Sequence, residues 1–387
     1  MSKIALMAAT ALLVAGGAQA AQKVVLPGPV FVIAMENHNF IQPKTYTQLQ
    51  QVYKNPAAPY INSLVKPGDP NALYVSYAVR YLNAVTKGGI SVHPSEPNYV
   101  WAESGYHGRL NDNDPYPANI VHKPNLTAEL QAAGISWKSY QEDTDLVSTG
   151  GNLTNTVAPQ DQWTVPLVSF SGSSPTYTNA YNGSNQYEYA AKHNPQVFFT
   201  ATNGGDNTTP TNPEAKYYAP MQQLAVDLAN NTVAEYNWIT PDEFNDMHSS
   251  LNNGFTYHGV HFKGDQAAIA EGDNWLSQVV PMIEASQAFQ NGGTIIIWND
   301  ETQGETKLPG KFSSMEIVIS KLAKGNATKV FTTYNHSSDL RTMQKLFGLT
   351  PDHGYFWLGA SATSNTLAAM FQTGAIPALF TGPRPAK

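Results

Sequence analysis

The sequence predicts an α/β protein with a mainly parallel central sheet and helices on both of its faces. Two observations carry this prediction. Short apolar runs rich in β-branched and aromatic residues recur along the chain, as is typical of buried strands. Segments with helical spacing of apolar residues lie between them, and this alternation favours a parallel sheet covered on both sides. The clearest strand candidates are residues 30–35, 197–200, 235–239, 294–298 and 330–333.

The strongest helical pattern covers residues 274–289, where the apolar side chains fall near one face. Asp273 is placed to cap the N-terminus of this helix, and Pro281 predicts a kink or a late start. A shorter helix is predicted over residues 221–228, because Pro220 suits a first helical position.

Residues 1–20 have the pattern of a secretory signal peptide, with a short basic start, an apolar centre and an Ala-x-Ala exit. Cleavage there predicts a periplasmic or secreted protein.

We expect residues 21–387 to form a single domain. Residues 148–187, dense in Ser, Thr, Asn, Gly and Pro, predict a loop-rich insertion at its surface. No later stretch approaches the roughly 18 consecutive apolar residues of a membrane span.

Composition narrows the classes of function. The chain has no cysteine, so an exported form would depend on its apolar core or on bound metal for stability. Its formal net charge of -7 argues against non-specific nucleic-acid binding, which needs basic surfaces. We therefore expect no nucleic-acid partner.

Polar side chains follow several strand candidates at the point where each strand ends. In open α/β sheets ligands bind beyond the carboxyl ends of the strands. Any one of these residues has an ordinary explanation as a helix cap or a solvated loop residue, but together they would line one rim. Asp300 and Glu301 follow a nearly all-apolar strand, where adjacent buried carboxylates repel unless a cation lies between them. The strand ends are residues 36–40, 240–248, 299–302 and 334–336.

Ser95 lies between Pro94 and Pro97 in the segment His-Pro-Ser-Glu-Pro-Asn-Tyr. Two prolines predict a stiff turn, which is suited to presenting a nucleophilic hydroxyl. A plain proline-rich loop is the alternative interpretation of the same residues.

Several segments of the chain resemble the bacterial and fungal phosphoesterase family that contains acid phosphatases and phospholipases C. They appear in the order in which that family shows them and extend over nearly all of the chain after residue 20. The resemblance implies a phosphoric ester hydrolase with an alkaline phosphatase-like fold. The matching segments are residues 36–40, 93–99, 104–105, 136–140, 192–195, 245–248, 273–276 and 300–301.

By this resemblance Ser95 is the nucleophile, because it precedes Glu-Pro-Asn where related nucleotide pyrophosphatases place a threonine before Phe-Pro-Asn. The Asn-Asp-Asn-Asp run at residues 111–114 would supply an amide near the phosphate, with Asn113 the first choice and Asp112 the alternative. A divalent cation of unspecified identity would bind at the ends of two strands. Its implied ligands are Glu36, Asn37, Asp300 and Glu301.

The chain departs from the two-metal pattern of the alkaline phosphatase superfamily, so a second cation is left open. Asp246, His248 and His336 are the candidates for its ligands. The same residues would alternatively contact the phosphate or protonate the leaving oxygen. His248 is the first choice as general acid, and His336 is the second.

These features predict an exported, metal-dependent phosphoesterase of acid-phosphatase type that hydrolyses small phosphate monoesters through a phosphoserine. A phosphodiesterase of phospholipase C type is the main alternative, and a hydrolase of sulfate or phosphonate esters is a more distant one. No strongly amphipathic or basic surface helix is apparent, which favours soluble monoesters. A periplasmic binding protein for phosphate esters is the non-enzyme alternative, and the oligomeric state is left open.

Overall fold

The computed structural model describes residues 28–85, 91–108, 111–115, 120–303 and 312–377. The predicted signal peptide lies outside these residues. The strands are β1 (Val30–Met35), β2 (Val75–Ala78), β3 (Tyr81–Leu82), β4 (Trp137–Gln141), β5 (Leu146–Thr149), β6 (Asn152–Val157), β7 (Phe170–Ser173), β8 (Gln186–Tyr189), β9 (Tyr218–Pro220), β10 (Tyr236–Thr240), β11 (Phe255–Tyr257), β12 (Val260–Phe262), β13 (Thr294–Asn299), β14 (Glu316–Ser320), β15 (Thr328–Val330) and β16 (Tyr334–Asn335). The α-helices are α1 (Pro59–Leu64), α2 (Ser95–Ser104), α3 (Leu126–Ala132), α4 (Thr200–Asn203), α5 (Gln222–Asn230), α6 (Asp265–Ala285), α7 (Gln287–Gln290) and α8 (His336–Leu346).

Eight strands form the central sheet, in the order β15-β2-β14-β13-β1-β10-β4-β9. The five strands from β13 to β9 run parallel to one another. β14 is antiparallel to both of its neighbours, β13 and β2, whereas β15 is parallel to β2. The predicted α/β class is therefore confirmed, with the correction that the sheet is mixed.

Apolar side chains cover both faces of the sheet. Alternate residues of β1 point to opposite faces, as the pleat of a strand requires. Phe31, Ile33 and Met35 join an apolar cluster with residues of α1, α5 and α6. Val30 and Val32 join a second cluster with residues of α2, α3 and α8. Helices thus lie on both faces, as predicted.

The strand predictions for residues 30–35, 235–239 and 294–298 are confirmed with small shifts in their ends. The prediction for residues 197–200 is wrong, because this run lies in the 3-10 helix Pro195–Phe198 and the start of α4. A short buried apolar run has the same composition in either structure, so periodicity did not distinguish them. The strand predicted over residues 330–333 lies earlier in the chain, because β15 ends at Val330 and contains only that residue of the predicted run.

The main helix is longer than predicted. α6 includes Pro281 and starts at Asp265, so Asp273 lies inside it and does not cap it. The Asp273 carboxylate instead accepts the backbone N–H groups of Tyr60 and Ile61, at 2.9 and 2.7 Å, at the start of α1. The residue therefore caps a different helix. No helix of the described ranges is both long and apolar enough to cross a membrane.

The sheet brings the polar strand ends together. Met35 pairs with Asn299 at the ends of β1 and β13, so the residues that follow them are neighbours. β1 also pairs with β10, whose end leads into residues 241–248. α2 begins at Ser95 and packs against the face of the sheet that carries Val30 and Val32.

Candidate active site

Carboxylates and one amide meet where β1 and β13 end. The backbone N–H of Asn37 donates to Asp300 Oδ1 at 3.2 Å, which joins the two strand ends. Asn37 has a φ of 26°, in the left-handed region that Asn tolerates better than most residues. Its amide directs one terminal atom at Glu36 Oε2 and Glu301 Oε1, 3.0 and 3.2 Å away. With nitrogen at that position Asn37 donates to both carboxylates, whereas with oxygen there it would complete a set of cation ligands.

Ser95 adds its hydroxyl to this group. The side chain is buried, and Oγ donates to Glu36 Oε2 at 3.0 Å. The predicted stiff turn is in fact the start of α2, because Pro94 precedes the helix and Pro97 lies in its first turn, where a proline is tolerated. The hydroxyl thus lies at a helix N-terminus, which favours anions.

Glu301 is oriented by residues close to Ser95 in the sequence. His93 Nδ1 lies 2.8 Å from Glu301 Oε2, and Asn98 donates to the same oxygen at 3.3 Å. The segment at residues 93–99 therefore both presents the hydroxyl and positions one of the predicted metal ligands.

The buried carboxylates lack enough protein donors. Glu36 Oε1 and Asp300 Oδ2 are buried and accept no well-aligned hydrogen bond from the described residues. Burial, followed by the charges of Asp300, Asp246 and Glu243, raises the pKa of Glu36 well above its usual value. Burial and then Glu301 do the same to the pKa of Asp300. A divalent cation fits such an oxygen-rich set, because it would satisfy these atoms and relieve their repulsion.

A second group adjoins the first through Glu36. His193 Nε2 lies 3.1 Å from Glu36 Oε1, and its Nδ1 lies 3.2 Å from Glu243 Oε1 and 3.4 Å from Asp246 Oδ2. Burial lowers the pKa of His193 to about 3, although the charge of Glu243 opposes that shift. A neutral imidazole carries only one N–H, so His193 can donate a hydrogen bond to the carboxylates on only one side of its ring. His193, Glu243 and Asp246 are close enough together to hold a metal ion themselves.

His248 lies beside this second group. Its Nδ1 is 2.6 Å from Glu243 Oε2, and the His248 side chain is 29% exposed. Glu243 therefore holds one ring nitrogen, and the exposed part of the side chain can meet a group that enters from solvent. This arrangement suits the predicted proton donor.

His336 does not face the site. Trp298 Nε1 donates to its Nδ1 at 3.0 Å, the Tyr81 hydroxyl lies 2.9 Å from the same nitrogen, and its Nε2 contacts the Asp300 backbone oxygen. Burial lowers the pKa of His336 to about 3, so the ring is neutral. With both nitrogens used inside the protein, His336 supports the Asp300 backbone. The placement argues against its predicted role as general acid.

The segment at residues 111–115 approaches Ser95 through Asp112. Asn113, the first choice from the sequence, is exposed, and its backbone N–H donates to Asn111 Oδ1. Asp112 accepts the backbone N–H of Glu96 at 3.2 Å and pairs with Lys192 Nζ at 2.8 Å. Asp112, the alternative choice from the sequence, is therefore the residue that contacts the start of α2.

Lys192, His193 and Glu243 were not among the predicted site residues. The Lys-His-Asn-Pro segment at residues 192–195 was available as a signal, because it is one of the segments that carry the family resemblance. Nothing in its spacing indicates that it meets the ends of β1 and β10.

A neighbouring acidic group has a different character. Glu142, Asp143 and Asp242 are also close enough to hold a metal ion. Protein donors already serve this group: Asn179, Asn245 and Trp275 Nε1 all donate to Glu142. We interpret this group as a structural network.

Comparison with known proteins places the chain in a family. An acid phosphatase of Aspergillus fumigatus is 27% identical over 282 residues, which is 70% of this chain and 49% of that protein. A probable acid phosphatase of Kluyveromyces lactis is 26% identical over 260 residues, 65% of this chain and 48% of that protein. The chain thus spans about half the length of the curated relatives it matches.

One similar solved structure is the murine ectonucleotide pyrophosphatase/phosphodiesterase 5, with a TM-score of 0.46, 10% identity and coverage of 84% of this chain and 96% of that one. The model described as the Phosphoesterase family matches residues 34–350. Because this match extends over most of the chain, the protein belongs to the Phosphoesterase family.

Proposed function

We propose that the protein is a metal-dependent phosphoesterase that hydrolyses small phosphate monoesters through a phosphoserine at Ser95. One observation carries the proposal: the Ser95 hydroxyl, at the N-terminus of α2, contacts a buried carboxylate group in which Glu36 Oε1 and Asp300 Oδ2 accept no well-aligned hydrogen bond from the described residues. The acid phosphatases among its relatives support the same class of reaction.

Each part of the site has a separate task. A cation held by Glu36, Asn37, Asp300 and Glu301 would acidify the Ser95 hydroxyl and polarise a phosphoryl oxygen. Glu36 Oε2, 3.0 Å from Oγ, is placed to receive the hydroxyl proton. Ser95 Oγ then bonds to phosphorus while the bond to the leaving oxygen breaks. Water next cleaves the phosphoserine, which releases phosphate and restores the hydroxyl.

His248 would protonate the leaving oxygen. Its Nδ1 is held by Glu243, so the protonated Nε2 can donate outward while the ring keeps its orientation. The same nitrogen can then accept a proton from the attacking water. We assign Glu243 a positioning role, since it acts through His248.

His248→Ala should slow hydrolysis of an alkyl phosphate by about 10²–10⁴-fold, the usual contribution of a general acid. It should have little effect on 4-nitrophenyl phosphate, whose leaving group departs without a proton. Steady-state kcat/KM on the two substrates measures the difference, and the exposed His261 provides a control as His261→Ala. Equal losses on both substrates would contradict the assignment.

The purified protein should hydrolyse monoesters, lose activity on chelation and regain it with a divalent cation. A panel of mono- and diesters assayed with metal analysis tests this. Faster turnover of diesters would favour the phospholipase C alternative, and saturable binding without turnover would favour a binding protein.

We further propose that the protein is exported and soluble in the periplasm or medium, on the basis of the signal-peptide pattern at residues 1–20. The mass of the exported protein tests this proposal, because cleavage would leave Ala21 as its first residue. An intact Met1 on exported protein would overturn it.

A further inference from the structure

We infer that Lys192 binds the substrate phosphate, that Asp112 takes the place of the phosphate when substrate is absent, and that this pair favours dianionic monoesters over diesters. The inference rests on the proposed function and deepens it, because it names the class of ester for which the site is built.

The first step is the position of the Asp112 carboxylate. One of its oxygens accepts the Glu96 backbone N–H at 3.2 Å, and the other lies 2.8 Å from Lys192 Nζ. Glu96 directly follows Ser95 in the first turn of α2. A single small anion therefore joins the ammonium group to the helix N-terminus that carries the nucleophile. An ammonium group and N-terminal amides are groups that commonly bind phosphate.

The second step is the charge that Lys192 brings to the site. Its ammonium group lies 2.8 Å from an Asp112 oxygen, and a lysine side chain with such a partner is protonated at neutral pH. Lys192 therefore stays positively charged beside the carboxylates. Its neighbour in the chain, His193, contacts Glu36, which connects the ammonium group to the metal-binding group.

The third step is that Asp112 is the more exposed member of the pair, and therefore the one that an incoming phosphate would displace. Its side chain is 35% exposed, whereas that of Lys192 is 19% exposed. A phosphate that binds here replaces one anion by another, so the ammonium group never has to be left unpaired. The exchange also weakens apparent affinity, because only the fraction of molecules with Asp112 displaced accepts the ligand.

The substrate preference follows from charge. A monoester dianion carries two negative charges and a diester carries one, so the attraction of a fixed cation is greater for the monoester. Loss of the Lys192 charge should therefore reduce monoester turnover more than diester turnover.

A purely structural role makes a different prediction. If the pair only attaches the 111–115 segment to α2, then removal of either partner loosens the same contact. Asp112→Asn and Lys192→Met would then change phosphate binding in the same direction. If Asp112 instead competes with phosphate, the two substitutions have opposite effects.

The experiment measures binding of inorganic phosphate to the metal-loaded protein by calorimetry. Asp112→Asn keeps an acceptor for the Glu96 N–H and removes the competing charge, so phosphate should bind several-fold more tightly. Lys192→Met should weaken binding on the order of 10- to 100-fold, the value of a charge-assisted hydrogen bond. Lys192→Arg should keep most of the affinity. Lys138→Met is the matched control, because Lys138 is also partly buried and paired with an aspartate, Asp227.

Same-sign effects of Asp112→Asn and Lys192→Met would overturn the inference, as would unchanged binding in Lys192→Met or a loss in Lys192→Arg equal to that in Lys192→Met. A kcat/KM comparison completes the test: Lys192→Met should lower the ratio of monoester to diester turnover, and an unchanged ratio would remove the claim about ester class. Phosphate binding is measured without turnover, so a wild-type protein that binds phosphate but hydrolyses nothing would refute only the proposed function.

Discussion

Replacing Ser95 by alanine should reduce monoester turnover by several orders of magnitude while the fold and metal content stay nearly intact. The reason is that in the proposed mechanism the serine oxygen forms the bond to phosphorus, and the Ser95 hydroxyl at the N-terminus of α2 is the one that donates to Glu36 Oε2 at 3.0 Å. Because the side chain is small and lies at the start of α2, its truncation leaves the helix in place.

Two observations separate this outcome from a mere positioning role. Acid quenching during turnover should trap phosphate on the peptide that contains Ser95, and added alcohols should yield transphosphorylation products. Ser104→Ala is the control, because Ser104 is a buried serine at the other end of α2 that donates to the Val100 backbone oxygen. Substantial turnover in Ser95→Ala without labelled peptide would instead indicate direct attack by water.

The strand ends could be predicted because they depend on local sequence. A buried apolar run before Glu36, and another before Asp300, defines two strands, and parallel pairing then places their ends side by side. Ser95 was recognisable from its flanking prolines together with the family resemblance. These residues form the part of the site that sequence patterns describe.

The group formed by His193, Glu243 and Asp246 could not be predicted in the same way. His193 reaches Glu36 and Glu243 from a 3-10 helix between β8 and α4, and neither the length of that path nor the ring orientation has a sequence signal. Lys192 and Asp112 meet across 80 positions of chain. Contacts of this kind depend on how loops pack against the sheet, which local periodicity does not specify.

The less accurate predictions have a common physical origin. A histidine after a strand can face a ligand or turn inward, and His336 turns inward because Tyr81 and Trp298 supply buried partners for its ring. An aspartate before a helical pattern can cap that helix or another, and Asp273 caps α1. For Asp273 a capping role was predicted but for the wrong helix, and for His336 the buried partners of the ring were not predicted.

Asp300→Asn should abolish tight metal binding, because a neutral amide cannot replace the charge of a carboxylate toward a hard cation. Metal analysis after gel filtration should show occupancy falling well below that of wild type, and turnover should fall with it. Asp242→Asn provides the control: Asp242 is equally buried, but the backbone N–H groups of Phe244 and Asn245 already satisfy one of its oxygens and Asn179 donates to the other.

The same substitution should also change the thermal stability of the metal-free protein, and in the opposite direction. Burial and the neighbouring Glu301 both raise the pKa of Asp300, so its charge is unfavourable when no cation is present. Removing that charge should raise the melting temperature of the metal-free Asp300→Asn variant above that of metal-free wild type. Added divalent cation should then stabilise wild type, since a ligand that binds only the folded state raises stability with its concentration. It should no longer stabilise the variant. If Asp300→Asn keeps full metal occupancy, or if cation stabilises both proteins equally, Asp300 is not a metal ligand.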